Sequence, residues 1–152
     1  MNKLVSLISA FFSRLFKGSA SNSKSNDTAA ITDFYSGSGT KKMLSQIISE
    51  AYGHNRKPVL YFHADWCGGA VKFKASLSDP RMREALANAS LITIDSDLDM
   101  EQDRLSEKYH IRHVPAFILV NPDGSMIKAT TGAEWGEDTI DNMAPVMKRF
   151  LA

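Results

Sequence analysis

The sequence predicts an α/β sandwich, a central mixed β-sheet with helices on both faces. Three observations carry that expectation. Short apolar, β-rich runs recur at residues 58–63, 91–94 and 115–120, the pattern of strands buried on both sides. Segments of helical period separate the early runs, which demands parallel pairing and right-handed crossovers. Asn121-Pro-Asp-Gly124 then turns the chain into a further run, 125–131, so one strand returns antiparallel.

From the N-terminus, residues 1–17 read as an amphipathic leader. Leu4, Val5, Leu7, Ile8, Phe11, Phe12, Leu15 and Phe16 share one broad helical face, and serines, Arg14 and Lys17 take the other. Four readings stay open: a helix lying on a membrane surface through residues 4–16, an export signal cleaved near Gly18-Ser19-Ala20, an organellar transit peptide, and a helix packed on its own domain. The first two favour a membrane-associated or exported location, such as a bacterial envelope, over the free cytoplasm. Residues 18–33 read as a linker; its small, polar, aperiodic part at 18–30 cannot bury enough apolar surface to offset its ordering entropy.

Residues 34–152 read as one domain. Thr40 is the expected cap of a helix over 41–52, whose apolar stripe is Met43, Leu44, Ile47, Ile48 and Ala51, with Gly53 as its stop. The strand at 58–63 follows, then a helix after Cys67. Asp79 as cap and Pro80 at the first helical position predict a restart through residue 87. Beyond the strand at 91–94, residues 101–109 read as helical. A strand at 115–120, the hairpin and a closing amphipathic helix over 137–151 complete the order.

Composition narrows the function. The chain has 152 residues, 43% hydrophobic and 23% charged, ordinary for a globular protein. Residues 1–26 carry four basic side chains and no acid, while the rest holds 14 basic and 17 acidic ones. That acidic domain has no basic surplus for nucleic acid. A single cysteine, Cys67, excludes an internal disulfide and a multi-cysteine zinc site.

Cys67 is the residue that carries chemistry. It falls between a strand end and a helix start, where free backbone N–H groups and the positive end of a helix dipole favour thiolate over thiol. A thiolate attacks disulfides. The alternative is a small buried hydrophobe. Gly68 and Gly69 leave room for a substrate backbone, and Trp66 offers an apolar contact. His63 is expected to be half-buried, Asp65 solvated. His113 either approaches the thiol or lies on the surface.

Ala64-Asp-Trp-Cys-Gly-Gly-Ala-Val-Lys72 resembles the strand-to-helix motif of the thioredoxin family, tryptophan followed by Cys-x-x-Cys. Lys108-Tyr-His-Ile-Arg-His-Val-Pro115 resembles that family's segment ending in a cis-proline, and Gly124 and Gly132 also sit where the family has glycines. The resemblance spans roughly residues 40–151 and is nearest to the thioredoxin-like domains of bacterial disulfide reductases. It implies a thioredoxin-like fold and a thiol–disulfide oxidoreductase acting on protein disulfides and dithiols. Cys67 would be its nucleophile, and Trp66, Gly68, Gly69, Val114 and Pro115 its peptide-docking surface, with no metal or organic cofactor.

Two departures matter. Ala70 stands where the family has its resolving cysteine, so attack survives and internal release does not. A natural monothiol and an alanine introduced to trap partners both fit. Tyr61 stands where the family commonly places a buried acid, and a phenol with a reference pKa of about 10 cannot replace it near neutrality. A non-redox peptide-binding module of the same fold is therefore the competing reading, and a glutathione-resolved monothiol enzyme a third.

Other signals are weaker. Asp95, Asp97, Asp99, Glu101 and Asp103 alternate as in a calcium loop, but Met100 and Ser106 stand where that loop needs glycine and glutamate. Acids at a strand end and a helix start explain them better. His110 and His113 lack further ligands in sequence. Met143, Met147 and Phe150 are expected in the core.

Overall fold

A computed structural model describes residues 28–34 and 43–152. Its elements are β1 (Ala30–Asp33), α1 (Leu44–Gly53), β2 (Lys57–His63), α2 (Gly68–Ser76), α3 (Pro80–Ala85), β3 (Ala89–Asp95), α4 (Ser96–Glu101), α5 (Leu105–Lys108), β4 (Ala116–Val120), β5 (Met126–Thr131) and α6 (Ile140–Leu151), with a 3-10 turn over Gly132–Glu134. The five strands form one mixed sheet in the order β1-β3-β2-β4-β5. β1, β3 and β2 run parallel, while β4 and β5 are antiparallel to their neighbours.

The long apolar runs follow from burial on both faces. Period-two alternation sends Val59, Tyr61, Phe117 and Leu119 to one side, against α2, α3 and α6. Leu60, Phe62, Ile118 and Val120 go to the other, against Ile47 and Ile48 of α1. The mixed, two-faced sheet is as the sequence predicts.

Several boundaries differ. The linker expected through residue 33 ends earlier, because Ala30–Asp33 pairs with Ser90–Thr93 as β1. Arg56 reinforces this edge, donating from one guanidinium nitrogen to Thr28 O at 2.8 Å and Ala89 O at 3.0 Å. The leader, residues 18–27 of the linker and the expected cap Thr40 lie outside the described residues; α1 begins at Leu44, after Met43. The Asp79–Pro80 restart forms as expected, the Asp79 carboxylate accepting from Arg81 N.

The helix expected at 101–109 is instead two short ones. Asp95 caps α4. The Asp99 carboxylate, fully buried, accepts from Leu105 N at 2.7 Å and Ser106 N at 2.8 Å, and Arg104 takes a left-handed turn between them. These caps account for Asp95 and Asp99 among the alternating acids. The last helix starts at Ile140 rather than 137, because Thr139 is extended, at φ −114° and ψ 153°, and forms its N-cap.

Candidate active site

Cys67 lies just past the C-terminal end of β2 and is the N-cap of α2, with extended backbone angles of φ −90° and ψ 112°. Its amide donates to Ala64 O and its carbonyl accepts from Val71 N, both at 3.1 Å, so the backbone closes the turn. The side chain does not cap the helix. Instead the thiol donates across to Val114 O at 3.2 Å. No acid occupies the first turn of α2 to offset its dipole. Cys67 as a whole is half-buried.

The facing wall is the segment before β4. The Val114–Pro115 peptide is cis. Pro115 O accepts from Gly132 N at 3.0 Å, tying this loop to the end of β5. Close packing explains two glycines. A Cβ on Gly69 would lie 3.3 Å from Asp138 Oδ1 and 3.4 Å from Pro115 Cδ; one on Gly132 would lie 3.1–3.2 Å from the Pro115 ring and Trp135. A Cβ on Gly68 would meet nothing within 4 Å, so bare space there is not a packing requirement.

Beneath the thiol is a stack of rings. Tyr61 and Phe117 lie parallel with centroids 4.9 Å apart, and Phe73 meets both edge-on at 5.1 and 4.7 Å. Trp135 stacks on Phe73 at 6.0 Å and donates through its indole N–H to Asp138 Oδ1 at 2.8 Å. Tyr61 donates its hydroxyl to Ala70 O at 3.2 Å, while Ala70 is only 3% exposed. Burial first, and the negative charge of a Cys67 thiolate second, push the Tyr61 phenol far above its ordinary value of 10.0. The phenol therefore keeps its proton throughout the neutral range.

The residues singled out in the sequence are distributed around this centre. Trp66 is 71% exposed and its indole N–H donates to the Asp97 carboxylate at 3.1 Å. His63 is half-buried, its ring 5.4 Å from that of Tyr61, and Asp65 is exposed. His113 is exposed, and the Cys67 thiol is bonded to Val114 rather than to it. Sequence reasoning missed Trp135, Asp138 and Asp97, which reach the site only through tertiary packing.

A half-buried thiol at a helix N-terminus, facing the carbonyl before a cis-proline across a mixed five-stranded sheet, defines the thioredoxin-like fold. The chain belongs to the thioredoxin-like domain family, whose profile matches residues 44–144. Solved structures agree on the fold. The disulphide isomerase of Xylella fastidiosa aligns with a TM-score of 0.59 at 18% identity, covering 72% of this chain and 88% of that one. Trxlp of Edwardsiella tarda gives 0.53 at 13% identity, covering 79% of this chain and 100% of that one. Oxidised thioredoxin of Plasmodium falciparum gives 0.53 at 20% identity, with 81% and 100% covered. No curated protein matches the chain.

Proposed function

We propose that the protein is a thiol–disulfide oxidoreductase acting on protein disulfides, with Cys67 as attacking thiolate. The observation that carries this reading is the 3.2 Å contact of Cys67 Sγ with Val114 O, at the N-terminus of α2. When the thiol loses its proton, that donor disappears and Val114 O is freed to accept from the backbone N–H of an arriving peptide. The sulfur is then beside the peptide that carries the disulfide. The thiolate attacks one sulfur of R–S–S–R′, forming Cys67–S–S–R while the old S–S bond breaks and R′ leaves as thiolate. Trp66, Gly68, Gly69, Val114 and Pro115 form the docking surface, and His63 and His113 border it.

Release is the unusual step. Ala70 offers no second thiol, and the Tyr61 hydroxyl holds the carbonyl of that same residue while keeping its proton. Two neighbouring positions thus lack what internal release requires. These losses favour the second reading, a peptide-binding module without turnover.

A peptide disulfide with a chromogenic leaving thiol separates the two. The expected result is one equivalent of thiol released per chain, a covalent adduct at Cys67 and no further turnover until a thiol is added; Cys67→Ser releases none. Release no faster than with free cysteine at neutral pH leaves the binding module.

The leader is part of the same proposal: residues 4–16 place the domain on a membrane surface, tethered by the polar stretch after them. Among the described residues no helix is long and apolar enough to cross a membrane. Leu7→Glu with Phe11→Glu is expected to abolish co-sedimentation of the full chain with anionic vesicles. Unchanged co-sedimentation overturns the anchor.

A further inference from the structure

The surface around Val114 and Pro115 carries opposite charge at its two ends. On the Val114 side, Trp66, Met100 and Ile111 wall a cleft that Arg112 and His113 also line, and no acid lines it. Arg112 is exposed and has no ion-pair partner among the described residues. Asp97 lies outside this cleft and accepts from the Trp66 indole N–H. On the Pro115 side, the chain leaving β5 supplies acids instead. Gly132 lies against the Pro115 ring, and Asp138 Oδ1 and Oδ2 would lie 3.3 and 3.5 Å from a Cβ on Gly69. Glu134, two residues past Gly132, is exposed and has no ion-pair partner among the described residues.

The backbone gives this polarity a direction. Val114 O accepts from the Cys67 thiol, and Val114 N–H has no hydrogen-bond partner among the described residues. One residue of an arriving peptide can satisfy both groups of Val114 only if the peptide runs antiparallel to it, because a parallel partner divides those bonds between two residues. An antiparallel peptide lays its N-terminal flank over Pro115 and the acids, and its C-terminal flank over Arg112 and His113.

We propose that the site selects protein segments with a basic residue on the N-terminal side of the disulfide cysteine and an acidic residue on its C-terminal side. The proposal rests on Cys67 acting as the attacking thiolate. Glu134 and Asp138 attract the basic flank, and Arg112 and His113 the acidic one. The Cys67 thiolate attacks the sulfur of the docked cysteine; Cys67–S–S–peptide forms, the old S–S bond breaks and its other sulfur leaves as thiolate. Charges at the rim of a docking surface govern encounter and register, so the selection is read in the rate of attack.

The test uses two blocked peptides of identical composition, with cores Lys-Cys-Glu and Glu-Cys-Lys, each holding a chromogenic thiol in a disulfide with its cysteine. The rate at which the full chain releases that thiol is divided by the rate for free cysteine with the same peptide. At low salt Lys-Cys-Glu is expected to react about tenfold faster than Glu-Cys-Lys, the scale of two exposed ion pairs exchanged for two like-charge contacts. The ratio should shrink toward one in about 1 M salt, where exposed charges are screened within about 3 Å. Arg112→Gln combined with Glu134→Gln should bring it within about twofold of one at low salt. A ratio near one with both peptides reacting fast overturns the proposal and leaves the thiolate reading intact. A preference for Glu-Cys-Lys, or a tenfold ratio that survives the double substitution, overturns it as well. If neither peptide outpaces its reaction with free cysteine, the thiolate reading of Cys67 falls and the proposal falls with it.

Discussion

The two faces of the sheet differ in how their rings are arranged. On the α2–α3–α6 side, Tyr61, Phe73, Phe117 and Trp135 interlock as rings, each within 6.0 Å of at least two others. On the α1 side the rings of Phe62 and Tyr109 stand 6.5 Å apart, set among Ile47, Ile48, Leu60, Ile92, Ile94, Ile118 and Val120. Both exclude water; the ring side touches the site through Tyr61 on Ala70 O, Trp135 on Asp138, and Asp138 and Pro115 beside Gly69, and the α1 side touches it through Val114, which packs on that layer and accepts from the Cys67 thiol. Rings have few torsions and fixed contact geometry, so they hold a backbone in place better than branched aliphatic chains do. The α1 face meets the site through Val114, whereas the ring face meets it at several points.

The sharpest way to break that division is Phe73→Ala against Ile118→Val. Phe73 is fully buried at the centre of the stack, and its loss should cost about 3–5 kcal/mol in denaturant unfolding. It should also alter the rate at which iodoacetamide alkylates Cys67 in the folded protein. Ile118→Val should cost about 0.5–1.5 kcal/mol and leave that rate alone. Equal effects on alkylation would show that the faces share the work.

Tyr61→Phe is the intermediate case. It deletes the bond to Ala70 O, at a cost of about 1 kcal/mol. Its pH signature is more specific. Because folding raises the Tyr61 pKa, the folded state holds the proton more tightly than the unfolded state. The associated stability is fully present below the unfolded value of about 10 and falls as pH rises above it, by up to about 1.4 kcal/mol per pH unit. Tyr52 and Tyr109 are also raised, and both remain in the variant. The difference between the two stability curves above pH 10 therefore isolates Tyr61; parallel curves would contradict its burial as a phenol.

The smallest effects separate the neighbouring glycines. Gly68→Ala enters open space at the start of α2 and should stabilise by about 0.5–1 kcal/mol. Gly69→Ala makes the same helix gain but crowds Asp138 and the Pro115 ring, so melting should show little net change while attack on peptide disulfides slows. Equal behaviour of the two variants would mean that the wall opposite Cys67 yields freely.

Most of this arrangement was legible because it rests on local chemistry. Residues 58–63 announce a two-sided strand by being apolar without a break, and Asp79-Pro80 announces a helix start through its own hydrogen bond. The pairing of Cys67 with the Val114–Pro115 segment was legible only as a resemblance between motifs. What stayed hidden depends on distant partners. Ala-Ile-Thr-Asp of β1 looks like more linker until Ser90–Thr93 is placed beside it. The break at Gln102–Arg104 comes from the buried Asp99 carboxylate capping the next helix, a bond that residue spacing does not announce. Trp135 and Asp138 sit in a stretch without period, and only the 3-10 turn after β5 swings them under Gly69.

Parallel alignment of β1, β3 and β2 gives the domain two poles. Cys67 follows the C-terminal end of β2, whereas the described chain joins the sheet at the N-terminal end of β1, where Arg56 grips Thr28 O. The seven residues of β2 separate those poles by roughly 20–25 Å, at about 3.3 Å per residue. A pull exerted through the residues before Thr28 loads the far rim of the sheet and leaves the Cys67–Pro115 end unstrained.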